Sequence, residues 1–427
     1  MTTLNVTGGR VLLPDHSVER ADVLVDREDG EILAVGDTGG GDEELDAGGG
    51  LVIPGLVNAH THAAMTLLRG YADDKPLDRW LREDVWPVEA ELAGEDVRAG
   101  TELALVEMIR SGTTAFADMY FEVPDVVAAV EESGLRAMVG YGAVTVGKDE
   151  DGARAELERS LEVARRYAGG DRVTAAVMPH SLTTVGEEYL REFVPEAREA
   201  GVPLHFHANE TRDEVDPIVD ERGERPLEYA DDLGLLGETD FLAHGVHLDE
   251  TEEDLLAARG TGVVHCPASN MKLASGTAAV QRLLDAGVAV GLGTDGAASN
   301  NDLDVFDEMR DAAMVGKIAA GDATAVDADA AFGMATAGSA SVLGFDSGRV
   351  EAGANADLAV VDLEAPHLTP EHDLLSHLVY AARGSDVRHT VCDGRVLMRD
   401  RELTTLDERA VRERAADRAA ALVARAE

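Results

Sequence analysis

Two histidines separated by one residue, His60 and His62, form the strongest chemical signal in the sequence. They end a short, mostly apolar run, 56–62, whose composition predicts a β-strand. Side chains alternate along a strand, so residues two apart point to the same side and both imidazoles can bind one metal ion. Two solvated loop histidines are the competing interpretation of an isolated pair, so the case depends on further ligands elsewhere.

Later apolar runs end in the same kinds of side chain. His207, His244 and Asp295 each lie at the end of such a run or directly after it. Three histidines and one aspartate suit a single Zn²⁺ ion with a position left for water, and Fe²⁺ tolerates similar ligands. The predicted metal ligands are His60, His62, His207 and Asp295.

Two neighbours of His207 are interpreted differently. Glu210 lies three residues further on, where it would sit over the same site. His205 precedes His207 by two residues, and we interpret it as an interior residue or a hydrogen-bonding partner rather than a ligand. The sequence therefore predicts a metal site with a carboxyl group placed beside it.

A scaffold must bring these strand ends together. Eight apolar runs alternate with segments of helical periodicity, such as 98–110 and 154–167. This rhythm is typical of the α/β fold called a (β/α)8 or TIM barrel, which places catalytic groups at the carboxyl ends of its strands. A doubly wound sheet competes, but no glycine-rich phosphate loop follows the first strand. The predicted barrel strands are 56–62, 113–118, 136–141, 173–179, 203–207, 241–244, 262–266 and 288–294.

Short strands with turn signals occupy both ends of the chain. Asp29-Gly30 and Asp393-Gly394 each lie between apolar runs, which is a hairpin signal. Strands from the two ends can pair, so we predict a small composite β-sandwich that is followed by a helix at 406–426. The predicted division is 1–55 for the first part of the sandwich, 56–349 for the barrel and 350–427 for the second part.

The charge of the chain excludes some functions. There are 83 acidic against 37 basic residues, a net charge of −46 spread along the whole chain. That charge repels nucleic acid and anionic membranes, and the pattern is typical of halophiles. Cys266 and Cys392 lie far apart, which predicts neither a disulfide framework nor a thiolate metal site. We find no signal-peptide pattern and no apolar run of membrane-spanning length, so we expect a cytoplasmic protein.

The run 53–62, Ile-Pro-Gly-Leu-Val-Asn-Ala-His-Thr-His, resembles the opening metal motif of the amidohydrolase superfamily. The two histidines of this motif are followed along the chain by His207, His244 and Asp295. This order matches the mononuclear branch of the superfamily. The fourth predicted strand ends Met178-Pro179-His180, without the lysine that bridges two metals in binuclear members. The resemblance therefore implies a metal-dependent hydrolase barrel with one metal ion, Zn²⁺, per subunit.

Four segments resemble the 5-methylthioadenosine/S-adenosylhomocysteine deaminases within that superfamily: 67–70, 76–81, 86–89 and 265–270, the last followed by Lys272. The resemblance implies a homo-oligomer that hydrolyses 5′-methylthioadenosine, S-adenosylhomocysteine or 5′-deoxyadenosine to the inosine-type product and ammonia, in nucleoside salvage linked to S-adenosylmethionine recycling. It also implies that Glu89 holds the ribose hydroxyls and that His180 contacts the substrate.

Deamination assigns roles to the remaining residues. Asp295 is predicted to take a proton from the attacking water while it ligates the metal, and His244 to orient the hydroxide. Glu210 is predicted to donate a proton to N1 of the purine, which requires a raised pKa in a pocket that excludes water. The predicted catalytic residues are thus Glu210, His244 and Asp295, of which Glu210 and Asp295 also bind the substrate.

One departure from the family and several alternatives stay open. Where the family often carries an arginine after the third strand, this chain has Tyr141, which favours small 5′ groups over a homocysteine tail. The same scaffold could act on guanine, cytosine or a chlorinated s-triazine, or as a general amidase. Glu210 favours loss of an amine and Glu89 favours a ribose over a bare base. A catalytically inactive scaffold protein is disfavoured because all four ligands are intact.

Overall fold

Eight parallel strands carry the candidate ligands in the computed structural model, which describes residues 2–427. They are numbered here as barrel strands 1 to 8, and the fourth is in two pieces. Their bounds are Leu56–Thr61, Thr113–Tyr120, Arg136–Ala143, Val173–Ala175 with Met178–Pro179, His205–Ala208, Phe241–His244, Gly262–His265 and Val290–Leu292.

Two four-stranded parallel sheets make up the barrel, one from strands 1–4 and the other from strands 5–8. Isolated parallel bridges join them at both edges, between Thr61 and Asp295 and between Ser181 and His207. Each bridge carries a main-chain hydrogen bond, since Asp295 N–H donates to His60 O at 3.1 Å and His207 N–H to His180 O at 2.9 Å. The predicted TIM barrel is confirmed, and its closure brings strands 1, 5 and 8 to one site.

The fourth strand corrects the prediction of one continuous strand over 173–179. Its first piece, Val173–Ala175, pairs with strand 3, and its second, Met178–Pro179, pairs with strand 3 again further along. Between them Val177 hydrogen-bonds in the other direction, donating to Pro203 O at 2.9 Å and accepting from His205 N at 3.0 Å. The chain therefore turns from one neighbour to the other, which interrupts the strand.

Amphipathic helices cover the outside of the barrel, and the segments predicted at 98–110 and 154–167 lie in two of them. Glu150–Tyr167 begins where the Asp149 side chain accepts a hydrogen bond from Gly152 N at 2.9 Å, and it buries Leu157 and Leu161. The α-helices are Leu77–Trp80, Trp86–Glu89, Gly94–Arg110, Val123–Ser133, Glu150–Tyr167, Glu187–Ala200, Arg212–Arg222, Pro226–Asp232, Glu250–Arg259, Pro267–Lys272, Val280–Asp285, Val305–Ala320, Ala328–Gly333, Ser339–Leu343, Leu374–Tyr380 and Glu408–Ala426.

The two ends of the chain share a β-sandwich, as predicted. Leu51–Pro54 runs antiparallel to Leu358–Val361, which joins N-terminal and C-terminal strands in one sheet. Both predicted hairpins form, and aliphatic side chains such as Val25 and Val360 fill the space between the sheets. One sheet consists of Thr3–Thr7, Asp22–Asp26, Glu31–Gly36 and Glu43–Asp46, and the other of Arg10–Leu12, Val18–Glu19, Leu51–Pro54, Leu358–Val361, Val387–Cys392, Arg395–Arg399 and Glu402–Leu403.

The strand Glu43–Asp46 was not predicted, because only Leu45 of its four residues is apolar and glycines flank it on both sides. The domain boundaries after residues 55 and 349 stay a prediction. Cys266 and Cys392 are both free and buried. Within residues 2–427, no helix combines the length and the apolar character that crossing a membrane requires.

Candidate active site

The predicted ligands meet at the carboxyl ends of barrel strands 1, 5 and 8. The candidate ligand atoms of His60, His62 and His207 all lie within 4.8 Å of one another. Nε2 of His62 is 3.3 Å from Nε2 of His207 and 3.3 Å from Oδ1 of Asp295. Two ligands bound tetrahedrally at about 2.1 Å lie about 3.4 Å apart, so these spacings fit one shared Zn²⁺-sized ion.

Hydrogen bonds turn the ligand nitrogens toward this centre. Nδ1 of His62 donates to Met119 O at 2.7 Å, and Nδ1 of His207 donates to His180 O at 2.7 Å. In a neutral ring this leaves the lone pair on Nε2, which is the form that binds a metal. Among the described residues, 2–427, the buried Nε2 of His60 has no hydrogen-bond partner, which is costly unless an ion binds there. The residues present therefore fit a divalent metal.

A proton competes with a metal ion for the ring of His62. Burial lowers the pKa of His62, but the hydrogen bond with Asp295 more than offsets this and raises the pKa to about 9. A metal must displace that proton, so its binding weakens in acid.

Asp295 is held in its ionised form. Its Oδ2 accepts hydrogen bonds from Ser269 Oγ at 2.6 Å and Ser299 Oγ at 2.7 Å, while Oδ1 faces the histidines. Burial would raise the pKa of Asp295, but its close contacts with His60 and His62 hold it well below its usual range. Neither serine was predicted from the sequence, although Ser269 lies in one of the segments that carry the family resemblance.

Glu210 is a carboxyl group of the opposite kind. Burial, together with the charge of Asp295, raises its pKa to about 8, although Ser275 Oγ donates to Oε1 at 3.2 Å. Its Oε2 is 3.7 Å from Nε2 of His244. At neutral pH Glu210 therefore holds a proton that it can donate to a substrate.

His244 lies close enough to ligate a metal, because its ring groups with His60 and Asp295 within 4.8 Å. However, Asn270 Nδ2 donates to its Nδ1 at 3.1 Å, so in a neutral ring the proton is on Nε2. Burial lowers the pKa of His244 to about 4, which keeps the ring neutral at pH 7. An Nε2–H group can orient a water or an oxyanion but cannot bind a metal, which supports the predicted role.

A cavity of about 850 Å³ opens above this centre, with Glu89 and His180 in its lining. Oε1 of Glu89 accepts a hydrogen bond from the Tyr120 hydroxyl at 2.8 Å, and burial raises the pKa of Glu89 to about 7. Nδ1 of His180 lies 2.9 Å from Thr184 Oγ1, and burial lowers its pKa to about 3. Seven of the eight predicted site residues thus line one cavity, and the eighth, His60, is buried beside them with its ring nitrogen within 4.8 Å of the other candidate ligand atoms.

Tyr141 does not line the cavity, although the prediction about the 5′ group of the substrate requires it to lie there. Its hydroxyl is 3.1 Å from Oε2 of Glu156 and 3.2 Å from Nη1 of Arg159, both on a helix outside the barrel. Side chains alternate along strand 3, and Gly142 rather than Tyr141 lines the cavity. The inference that Tyr141 favours small 5′ groups is therefore wrong in its premise.

Comparisons with known proteins agree with this geometry. A model of the amidohydrolase family matches residues 51–397. The chain is 69% identical to a 5-methylthioadenosine/S-adenosylhomocysteine deaminase of Haloarcula marismortui, over 100% of both chains. It is 46% identical to a 5′-deoxyadenosine deaminase of Methanothermobacter thermautotrophicus, over 97% of each. An adenosine deaminase structure from Xanthomonas campestris with bound zinc superposes with a TM-score of 0.93 at 37% identity, covering 99% of this chain and 98% of that one.

Proposed function

The chain belongs to the amidohydrolase family and is a hydrolytic deaminase of adenosine-type nucleosides, and we propose which residues carry out each part of that reaction. In this reaction water adds to C6 of the purine and the amino group leaves as ammonia. The observation that carries the assignment is the 69% identity to a deaminase over the full length of both chains. The cavity supports it, because a proton-holding carboxyl group faces a metal centre there.

We assign one Zn²⁺ ion per subunit to His60, His62, His207 and Asp295. Bound there, it would act as a Lewis acid that lowers the pKa of a water molecule to about 7. The donor set of three imidazoles and one carboxylate supports zinc, and Fe²⁺ is the alternative. Elemental analysis of protein purified without added metal, followed by reconstitution with each ion, distinguishes the two.

Asp295 and Glu210 divide the proton transfers between them. Asp295 is ionised and accepts a proton from the attacking water, then passes it to the departing amino group. Glu210 donates its proton to N1, which draws electrons away from C6 and makes it more open to attack. When the oxygen on C6 loses its remaining proton to form the carbonyl, that proton restores Glu210. The Nε2–H of His244 orients the attacking oxygen.

The outer part of the cavity binds the nucleoside. Glu89 accepts hydrogen bonds from the ribose hydroxyls, and the hydroxyl of Tyr120 fixes the direction of its carboxyl group. His180, which is neutral at pH 7, also contacts the substrate. Trp80 and Trp86 also line this part of the cavity and supply apolar surface for it. A nucleoside is therefore a better fit than a bare base.

Ammonia release tests the function directly. The substrates are adenosine, 5′-deoxyadenosine, 5′-methylthioadenosine and S-adenosylhomocysteine, together with guanine, cytosine, a chlorotriazine and a simple amide. We expect turnover of the nucleosides alone, in high salt with Zn²⁺ restored. Turnover of a free base but no nucleoside would overturn the role of Glu89, and turnover of the amide alone would support a general amidase. A metal-loaded protein without any activity would support an inactive scaffold.

Two further proposals concern the protein in the cell. We propose that it is cytoplasmic and that it forms a homo-oligomer, as its family resemblance implies. The free thiols of Cys266 and Cys392 are compatible with a reducing compartment. Cell fractionation and analytical ultracentrifugation in high salt test these two proposals.

A further inference from the structure

His60 differs from the other two histidine ligands in what holds its ring. His62 and His207 each donate from Nδ1 to a main-chain carbonyl oxygen at 2.7 Å. Nδ1 of His60 instead lies 2.9 Å from Nε2 of His205, and both of these rings are fully buried. We propose that His205 is a positioning residue that holds the proton of His60 on Nδ1 and so leaves Nε2 ready for the metal.

The main chain of strand 6 decides which nitrogen of His205 carries the proton. Nδ1 of His205 lies 3.1 Å from the carbonyl oxygen of Phe241, which can only accept a hydrogen bond. A neutral His205 therefore has its proton on Nδ1 and leaves Nε2 free to accept the hydrogen bond from His60. Strands 1, 5 and 6 are thus connected by a chain of two hydrogen bonds that ends at the metal site.

The opposite arrangement would prevent metal binding. If the proton of His205 were on Nε2, it would donate to Nδ1 of His60, and a neutral His60 would then carry its own proton on Nε2. That nitrogen could no longer offer a lone pair to an ion. Nδ1 of His205 would also face the Phe241 carbonyl oxygen without a proton between them. Only one arrangement satisfies both hydrogen bonds and keeps the metal site open.

A purely structural role for His205 is the alternative. Its ring stacks on the ring of Phe241 with centroids 4.1 Å apart and an interplanar angle of 16°, so it contributes to packing inside the barrel. The substitution His205→Phe keeps an aromatic ring for this stacking but removes the acceptor for His60. It therefore separates the two roles.

Zinc affinity is the decisive measurement, and it needs no substrate. For His205→Phe we expect the dissociation constant for Zn²⁺ to rise about 10- to 100-fold, the usual effect of losing the partner of a ligating histidine. A competing chromophoric chelator measures it on the purified full-length protein, and circular dichroism checks the fold. Compared with the wild-type protein, the variant should lose most of its turnover at limiting Zn²⁺ and much less of it at saturating Zn²⁺. A folded His205→Phe protein with wild-type zinc affinity would overturn the proposal.

The barrel offers a matched control for this variant. His265, on strand 7, is also a buried histidine, and neither of its ring nitrogens has a hydrogen-bond partner within residues 2–427. His265→Phe should leave zinc affinity unchanged. An equal loss of affinity in both variants would mean that general disturbance of the barrel causes it, which contradicts a specific role for His205.

Neutron diffraction of the wild-type protein gives an independent test that does not depend on any variant folding. We expect deuterium on Nδ1 of both His60 and His205. Deuterium on Nε2 of His205 would overturn the proposal. The inference rests on the proposed metal site but not on the proposed substrate, so a failure of the ammonia assay would leave these measurements decisive.

Discussion

The inner end of the cavity and its rim are built by different means. At the inner end, His60, His207 and Asp295 lie at strand ends, are almost fully buried and have hydrogen bonds that fix their orientation. At the rim, Glu89 and Arg212 belong to helices at the mouth and are more exposed. In our assignment, the barrel therefore positions the reacting groups, whereas helices at the mouth of the cavity contact the substrate.

The inner end also contains two carboxyl groups with opposite behaviour. Close contacts with His60 and His62 outweigh burial and keep the pKa of Asp295 low, whereas burial and the neighbouring charge raise that of Glu210. Two groups whose environments push their pKa values apart are a common sign of a base and an acid acting together. The rim has no such pair in our assignment, so changes at the two ends should have different kinetic effects.

Removing the metal should have the largest effect. The side chains of the inner end fit a divalent ion, so treatment with a chelator should abolish deamination of every nucleoside, and added Zn²⁺ should restore it. Ammonia release and bound zinc, measured on the same samples, should fall and recover in proportion. Full activity in metal-free protein would contradict the assignment of the inner end.

The substitution Glu210→Gln should have the second-largest effect. Glutamine keeps the shape of the side chain but has no acidic proton for N1, so we expect kcat to fall about 10²- to 10⁴-fold. Bound zinc should be unchanged, since Glu210 is not a proposed ligand. Wild-type turnover in the metal-loaded variant would mean that another group supplies this proton.

Glu89→Gln tests the rim in the same way. A ribose hydroxyl bound to a charged group contributes about 1.5–3 kcal/mol, so kcat/KM should fall about 10- to 100-fold, mainly through KM. The control substrate is an adenine that carries an alkyl group in place of the ribose. Its kcat/KM should fall much less in the variant. An equal loss on both substrates would show that Glu89 acts on the chemistry rather than on the ribose.

The proposed role of Glu210 as an acid also determines the direction of a pH effect. The protonated form is the active one, so at saturating Zn²⁺ kcat/KM should fall about tenfold per pH unit above a pKa of about 8. Substituting Glu89, at the rim, should leave this alkaline limb in place. A rate that rises through pH 8 would contradict a protonated Glu210.

The sequence predicted the inner end well because strand geometry carries the information. Alternation in strand 1 and the convergence of strand ends in a barrel were enough to bring His62, His207 and Asp295 together. The hydrogen bonds of Ser269 and Ser299 to Asp295 were not predictable, because they depend on loop conformations rather than on periodicity. Tyr141 was misplaced because strand 3 extends to Ala143, and its alternation turns that side chain outward.

Arg212 should show the smallest effect, and it tests what the rim contributes to the choice of 5′ group. Within residues 2–427, Arg82 and Arg212 are the arginines that line the cavity, and Nε of Arg82 already pairs with Asp78 at 2.6 Å. Within residues 2–427 Arg212 forms no ion pair, so its guanidinium is free to meet a substrate carboxylate. Exposed ion pairs contribute about 0.2–1 kcal/mol, so Arg212→Gln should lower kcat/KM for S-adenosylhomocysteine about two- to fivefold.

The comparison of two substrates makes this small effect measurable. 5′-Methylthioadenosine has no carboxylate, so Arg212→Gln should leave its kcat/KM unchanged. Arg82→Gln should lower kcat/KM for S-adenosylhomocysteine less than Arg212→Gln does, because Arg82 is already paired. Salt screens an exposed pair, so the difference should shrink as the salt concentration rises. If Arg212→Gln changed both substrates equally, the rim would not distinguish between 5′ groups by charge, and selection would depend on the apolar part of the cavity instead.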